Sequence, residues 1–555
     1  MPCVVCLVHL LFGITGIALT VGLQVGSGIF SSPGVVTLNA GSIGSSLIVW
    51  LFSGILAWSG ASSFAELGAA IPQNGGAQAY LNYSFGPLPS YLFSWTAIVA
   101  LKPGSSAIIS IIFGEYVARI IFHAAKSSVD HPHRQGLEGV PEWSVKFVAC
   151  IIVILVSAIN AFSARLGTRT QVTTTVVKLI ALVAVPILAI VFATRGNMPE
   201  ASRRAFSSLG NIFANSSTSP SSYALALYSG LWAFDGWDQA SYVGGEMKNV
   251  SRDLPLVIHS SMTLVIFFFG VTVVSYFLVL APSLVERTNT VALDFGSAVF
   301  GGSTAGGIVF ACLVVFSCFG AINSQVYTSS RLVYAAGKEG YLPTTLGTIN
   351  KRTATPVAAT VFQAVLVLVF ILFGSGFSSL VSFYGVCSYT WYFLTVLGLL
   401  VLRVKEPNLE RPYSTWLPTP VIFATTALFL LVMPIASAPL EATAAFTFML
   451  TGLPAYFVST GSWRSGGGTI SSFLKKCRGR GSSAQTAMSV LGEINHGGNH
   501  EDDYVEGDEE EAMEMLQRNS SSEWASRPRQ QDISIKGKQR AVDGERESKG
   551  DDPHS

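Results

Sequence analysis

The chain has 555 residues, half of them apolar and only 12% charged, with a net charge of +1 and a mean hydropathy of +0.49. Soluble domains carry about a quarter charged residues, so a water-soluble core of this size is excluded. The near-neutral balance offers no field for nucleic acid or for a strongly charged partner.

The N-terminus, Met1 to Leu11, is apolar without a basic leader or a small-residue cleavage site, so it reads as the start of a retained helix rather than a signal peptide. A helix needs about 20 apolar residues to cross the hydrocarbon layer. Runs of that size fall near residues 8–31, 43–71, 89–122, 143–164, 170–194, 222–247, 255–281, 304–332, 356–374, 378–403, 417–437 and 441–460. The expected fold is therefore an all-α integral membrane domain of about 12 transmembrane helices over residues 1–463. The third run is interrupted by Lys102-Pro103, which leaves its ends open.

Twelve spans put both termini on one side. Loops on that side hold Arg165, Arg169, Lys248, Arg252, Arg331, Lys338, Lys351, Arg352, Arg403, Lys405 and Arg411; the other loops hold Lys126, Arg134, Arg195, Arg203, Arg204 and Arg287. The bias places the termini in the cytosol and the Asn215-Ser216-Ser217 sequon outside. After Trp463 a Ser/Gly-rich stretch leads to an acidic run, Glu501 to Glu514. Residues 464–555 are expected to form a disordered cytosolic tail. It is either simply solvated or a docking site for trafficking or ubiquitin-ligase adaptors through Lys475, Lys476 or later lysines. The seven cysteines are scattered, mostly inside apolar runs, and read as packing residues.

Two spans contain sequence that a continuous lipid-facing helix would not choose. Gly26-Ser27-Gly28 sits about halfway along the first, and Phe234-Asp235-Gly236-Trp237-Asp238 about halfway along the sixth. Backbone groups released at that depth must find partners in protein, water or ligand. The first and sixth spans open the two halves of a five-plus-five arrangement, and matched interruptions in two halves point to a transporter's binding site. A half-helix N-terminus suits a carboxylate. A half-helix C-terminus, with its carbonyls, suits an ammonium. Together they can hold the head of an α-amino acid. The competing reading of Gly-x-Gly in a membrane helix is a close-packing seam. No βαβ pattern surrounds these glycines, so they form no nucleotide fingerprint. Neither a cofactor motif, a metal cluster nor a nucleophile–base set stands out, so an enzyme is not expected.

At these residues the sequence resembles the L-type amino acid transporter family of the amino acid–polyamine–organocation superfamily, which includes light chains of heteromeric transporters and fungal high-affinity methionine permeases. The likeness runs over residues 12–460. It includes Val25-Gly26-Ser27-Gly28-Ile29-Phe30, Ala65-Glu66-Leu67-Gly68 with Pro72 and Gly75-Gly76, and Ala226 to Leu231 with Gly236-Trp237. It continues through Thr328 to Leu332 with Glu339 to Pro343, Glu410-Arg411-Pro412 and Gly452-Leu453-Pro454.

The resemblance implies an inverted repeat of five plus five helices, with helices 1 and 6 broken and two more appended. It implies that Ser27 and Gly28 meet the substrate carboxylate, with Gln24, Gly26 and Ile29 also in the substrate site, and that backbone at Ala233 and Phe234 meets the amino group. Trp232 stands at an aromatic gate, and Ser388 and Tyr389 line the side-chain pocket. Lys178 matches a lysine packed against the broken first helix. Asp235 stands where light chains have glycine, and Gln24 where they have an apolar residue. The loop from His123 to Glu142 lacks the cysteine that light chains use to bond a heavy chain, so no disulfide-linked heavy chain is expected.

A charge at mid-helix costs about 2.5–3.5 kcal/mol on insertion scales, so each one needs a partner or a role. Lys178 can either carry a coupled proton or act as a fixed cation on the unwound backbone. Asp235 can pair with the substrate ammonium, exchange a proton, or cap the following half-helix; capping is the expected role of Asp238. Glu66 and Glu246 are expected in an inner gate network with Arg331 or nearby lysines. Glu115 and Arg119 are four residues apart and can pair on one helical face. The resulting expectation is proton symport of neutral, apolar or sulfur-containing L-amino acids, with a plasma-membrane location by analogy. An obligatory exchanger and a non-transporting nutrient receptor are the alternatives.

Overall fold

The computed structural model describes residues 16–459, apart from 74, 123–140, 243–246, 248, 289, 351, 374–376 and 438. Expectations placed on the N-terminal segment, most of the His123–Glu142 loop, Glu246, Lys248, Lys351 and the tail lie outside the described residues.

Helices follow one another along the chain, and no β-strand occurs among the described residues. The first span is broken into α1 (residues 16–24) and α2 (Gly28–Ala40), and α3 (Ile43–Ala70) returns across the bilayer. A short α4 (Ala77–Phe85) leads into a third span made of α5 (Pro87–Thr96) and α6 (Lys102–Ile121). Next come α7 (Glu142–Phe162) and α8 (Ala164–Thr194), then two small surface helices, α9 (Glu200–Phe206) and α10 (Leu209–Ile212). The sixth span is broken into α11 (Pro220–Ala233) and α12 (Gln239–Tyr242). After α13 (Val250–Val279) the chain forms α14 (Pro282–Val285) and α15 (Val291–Val299). The spans α16 (Thr304–Lys338), α17 (Val357–Phe373), α18 (Phe377–Lys405), α19 (Pro418–Ser437) and α20 (Pro439–Ser459) complete the bundle.

Eight of these spans are long and apolar enough to cross a membrane outright, and α17 and α19 contain shorter apolar helices. With the broken sixth span and α20 they make a multi-pass integral membrane protein.

Local chemistry sets the helix ends. Ser42 accepts the Ser45 amide and caps α3, while Gly41, at φ +78°, closes α2 in a left-handed turn that a side chain would strain. Proline occupies the first turn of α5, α11 and α14, where its missing N–H is not needed. The third span is not cut at Lys102-Pro103. Its helix widens into a π-turn at Ala97–Leu101 and continues through Pro103, an adjustment that accommodates proline. Gln363 Nε2 donates to the Ile98 carbonyl at 3.1 Å and Gln325 Nε2 to that of Lys102 at 3.5 Å, so this backbone is answered by side chains of α17 and α16.

The packing follows the expected repeat. The broken first and sixth spans meet through α2 and α11, the second and seventh through α3 and α13, the third and eighth through α6 and α16, and the fourth and ninth through α7 and α17. Corresponding members of the two halves thus pair, as a pseudo-two-fold arrangement requires. Outward faces carry apolar stripes at helical spacing, such as Ile48, Leu51, Phe52 and Ile55 on α3 and Val361, Val365 and Val369 on α17. The bilayer, rather than water, is the solvent for such faces.

Candidate functional site

Residues 25–27 and 234–238 leave helical geometry side by side at the centre of the bundle. Gly28 is essential to that approach: a Cβ there would collide with the Ala233 backbone. Helix ends leave backbone groups without intrahelical partners; at α2 these are the Gly28 and Ile29 N–H groups and at α11 the Ala233 carbonyl, the Gly230 and Trp232 carbonyls having taken the N–H groups of Phe234 and Asp235. Gly28 and Ile29 are the first residues of α2, and Ala233 is the last of α11. Phe30 and Ser31 N–H groups both turn back to the Ser27 carbonyl, at 3.1 and 3.0 Å. Gly236, at φ +105°, takes a backbone turn open to glycine, with the Leu23 side chain where a Cβ would stand.

Carbonyls of the first break and of α1 leading into it are taken by scaffold side chains. Gln171 Nε2 donates to Ala18 O at 3.0 Å, Ser324 Oγ to Leu19 O at 2.8 Å, and Ser317 Oγ to Val25 O and Gly26 O at 2.8 and 3.0 Å. Lys178 Nζ, fully inside the protein, donates to Gly22 O at 2.5 Å. Asn323 bonds Gln171 at 2.9 Å, and Asn160 bonds Asn323 at the same distance, so the lattice reaches back to α7. Every one of these groups lies within α7, α8 or α16.

Charged side chains gather at the second break. Asp235 accepts hydrogen bonds from Tyr384 at 2.7 Å and Tyr392 at 3.3 Å, both on α18. It caps no helix, because its carboxylate is turned to these hydroxyls. Asp238 is not a simple cap either. Its carboxylate lies 3.7 Å from Lys102 Nζ and accepts from Tyr242 at 2.8 Å and Gln239 Nε2 at 3.1 Å. Lys102 also sits 4.3 Å from the Tyr242 ring centre, and Gln239 accepts from Thr328. Burying an ion pair demands such surrounding hydrogen bonds. Lys102 was overlooked in the sequence except as an interruption; a lysine in mid-span was the available signal.

The remaining expected residues are distributed as follows. Gln24 bridges the breaks, donating to Phe234 O and Met262 Sδ, each at 3.0 Å. It thus occupies one of the two lone pairs of a carbonyl expected for the substrate amine. The ring against Trp232 belongs to Tyr384, with centroids 5.0 Å apart, whereas Tyr389 packs on Tyr228, Tyr392 and Phe423. Ser388 is buried on the same helix.

Glu66 does not meet Arg331. Its carboxylate binds Arg403 at 3.0 and 2.5 Å and the Thr415 amide at 2.8 Å, with Arg411 at 3.6 Å. Arg331 instead lies over the Tyr327 ring at 3.4 Å and donates to the Tyr327 carbonyl. The reason is the path of the chain after α18: residues 406–417 bring Arg411 and Thr415 to Glu66 beside Arg403, while Arg331 folds back on its own preceding turn. Glu115 and Arg119 pair at 3.3 Å.

Comparison with known proteins agrees with this architecture. The family described as amino acid permease matches residues 11–463. The chain is 36% identical to the b(0,+)-type amino acid transporter 1 of Mus musculus over 446 residues, covering 80% of this chain and 86% of that protein. It is 31% identical to the cystine/glutamate transporter of Homo sapiens over 443 residues, covering 80% and 83%. It is 32% identical to the large neutral amino acids transporter small subunit 2 of Mus musculus over 463 residues, covering 83% of each. With two adjoining broken helices inside a paired-repeat bundle, the chain belongs to the L-type amino acid transporter family of amino acid permeases.

Proposed function

We propose that this transporter takes up neutral L-amino acids from outside the cell, coupled to protons, by alternating access around the two breaks. The observation that carries the reading is the contact between Gly28 and Ala233, which sets the N–H end of α2 beside the carbonyl end of α11. A carboxylate at Ser27, Gly28 and Ile29 and an ammonium at Ala233 and Phe234 are then held mainly by backbone dipoles. Trp232 and Tyr384 wall the side-chain space, with Ser388 and Tyr389 behind them. Asp235 beside that ring pair disfavours an acidic side chain by like-charge repulsion.

Asp235 is the proposed proton carrier, since two tyrosine hydroxyls can serve either protonation state of its carboxyl. Lys178 is proposed to hold the first break in shape through Gly22. The Glu66–Arg403–Arg411 clamp serves as a gate on the face bearing the chain ends, which we assign to the cytosol. We place the protein in the plasma membrane as a stand-alone permease. The missing loop cysteine supports the absence of a disulfide-linked heavy chain. The tail after Trp463 is proposed as a docking segment for trafficking adaptors.

A second reading is obligatory exchange, favoured by the likeness to a relative named for two amino acids, cystine and glutamate. Purified protein in sealed vesicles separates the two. A symporter accumulates radiolabelled neutral amino acid into empty vesicles when the outside is acidified, whereas an exchanger does so only when the vesicles are preloaded. Uptake of no member of a twenty-amino-acid panel under either condition would remove both readings.

A further inference from the structure

The third span carries a lysine and a proline side by side at mid-depth, and its helix passes them by widening rather than by breaking. In the π-turn at Ala97–Leu101 the Lys102 N–H donates to the Ala97 carbonyl, five residues back. The next N–H on that ladder would come from residue 103 and meet the Ile98 carbonyl, but Pro103 has none. A carbonyl left unmatched inside a membrane protein must find its donor elsewhere. Gln363 of α17 supplies it. Its Nε2 donates to Ile98 O at 3.1 Å from a buried side chain. The Gln363 Oε1 meets no partner among the described residues, so the Ile98 carbonyl alone orients this amide there.

The turn decides where Lys102 points. A π-turn adds one residue to a helical turn, and one residue is about 100° of rotation. Without the widening, the side chain at 102 would swing away from the sixth span. With it, Lys102 Nζ lies 3.7 Å from Asp238 Oδ2 and 4.3 Å from the Tyr242 ring centre. Lys102 and Asp238 are 4% and 2% exposed, so neither charge has bulk water to fall back on. Asp238 ends the segment 234–238, whose first residue, Phe234, offers a carbonyl at the proposed ammonium position. Thr328 of α16 bonds Gln239, the neighbour of Asp238. The third and eighth spans thereby hold the second break where it turns into α12.

We propose that Gln363, on the ninth span, is a positioning residue for the substrate site. It fixes the π-turn, the π-turn aims Lys102, and Lys102 anchors the second break through Asp238. The effect on uptake rests on the reading that the second break receives the substrate amino group; the link from Gln363 to Lys102 does not.

The test uses the full chain, purified and placed in vesicles. Gln363→Leu deletes the donor at similar volume and should raise the amino-acid concentration for half-maximal uptake about tenfold, the scale of coupling within one network. Pro103→Ala returns an N–H that can serve the Ile98 carbonyl. Gln363→Leu added to Pro103→Ala should therefore stay within about twofold of Pro103→Ala alone, which a loss of packing at residue 363 would not do. Gln363→Met replaces the leucine variant in every comparison if that one fails to fold. Unchanged uptake in Gln363→Leu, or a loss that Pro103→Ala leaves unrepaired, would overturn the positioning role. The link to Lys102 is read without substrate, in the thermal midpoint of the purified protein. The shifts of Gln363→Leu and Lys102→Met should combine to less than their sum, whereas independent sites add. Full additivity would overturn the link. Because this arm needs no transport, its failure is separable from failure of the transport reading.

Discussion

The two breaks differ in what holds them. At the first, uncharged backbone is fixed by donors from α8 and α16, including Lys178 Nζ, and no carboxylate among the described residues takes part. At the second, Asp235 and Asp238 are tethered by Lys102 and by hydroxyls of Tyr384, Tyr392 and Tyr242. The first is fixed in shape, with the Gly22, Val25 and Gly26 carbonyls held by side chains of α8 and α16. The second contains carboxylates held by side chains of α18 and of the third span. On the proposed reading, matched sequence positions divide the labour, with the first break receiving the substrate carboxylate and the second its amino group.

The comparison breaks most decisively at Gly28. A methyl there strikes the Ala233 backbone, so Gly28→Ala should lower uptake by about 100-fold, the scale of a misplacement near 1 Å, with normal surface expression. Near-normal uptake would mean that the two breaks do not share a substrate. Asp235→Asn is the next largest perturbation: uptake should fall about tenfold, within the range of lost general acid–base function, and lose its dependence on external pH. A full pH profile in the variant would leave Asp235 with only its bonds to tyrosine.

Lys178→Met sharpens the contrast from the other side. It strips a donor from Gly22 O, and an unsatisfied buried carbonyl costs about 1–3 kcal/mol. The expected result is a lower thermal midpoint with an unchanged pH profile of the residual uptake. A flattened profile would transfer proton coupling to the first break.

The smallest effect belongs to a charge outside both breaks. Burial pushes the Asp294 carboxyl on α15 up to about 6, against the opposing influences of the Thr288 hydroxyl and Arg119. The folded state then binds this proton more tightly than the unfolded chain, so stability falls as pH rises from about 4 through 6. Asp294→Asn should remove that slope, on the order of 3 kcal/mol, without altering uptake. It is read by thermal unfolding between pH 4 and pH 7.

Much of this fold could be read from the residues, because the features that define it are written in hydropathy. Apolar run length located the spans, and Gly26-Ser27-Gly28 and Asp235-Gly236 marked the breaks. What escaped was partner choice. Lys102 lay beside proline and looked like an interruption, whereas a π-turn carries the helix past it and brings its ammonium to Asp238. Asp238 had the position of a cap, but a nearby cation and Tyr242 compete for its carboxylate. The residues place Glu66 in a network with Arg331 or nearby lysines; the tertiary path of residues 406–417, which no periodicity encodes, delivers Arg411 and Thr415. Tyr384 and Tyr392 could not be told from packing aromatics, since only the rotation of α18 decides which hydroxyls reach Asp235.

The pairing of an N–H end with a carbonyl end is tested most directly by competition during uptake into vesicles holding the purified protein. Against a radiolabelled substrate, the unmodified amino acid should compete, while its methyl ester, its N-acetyl derivative and the amine lacking a carboxylate should each fail. Equal competition by any of the three would show that one of the two helix ends does not grip the substrate head.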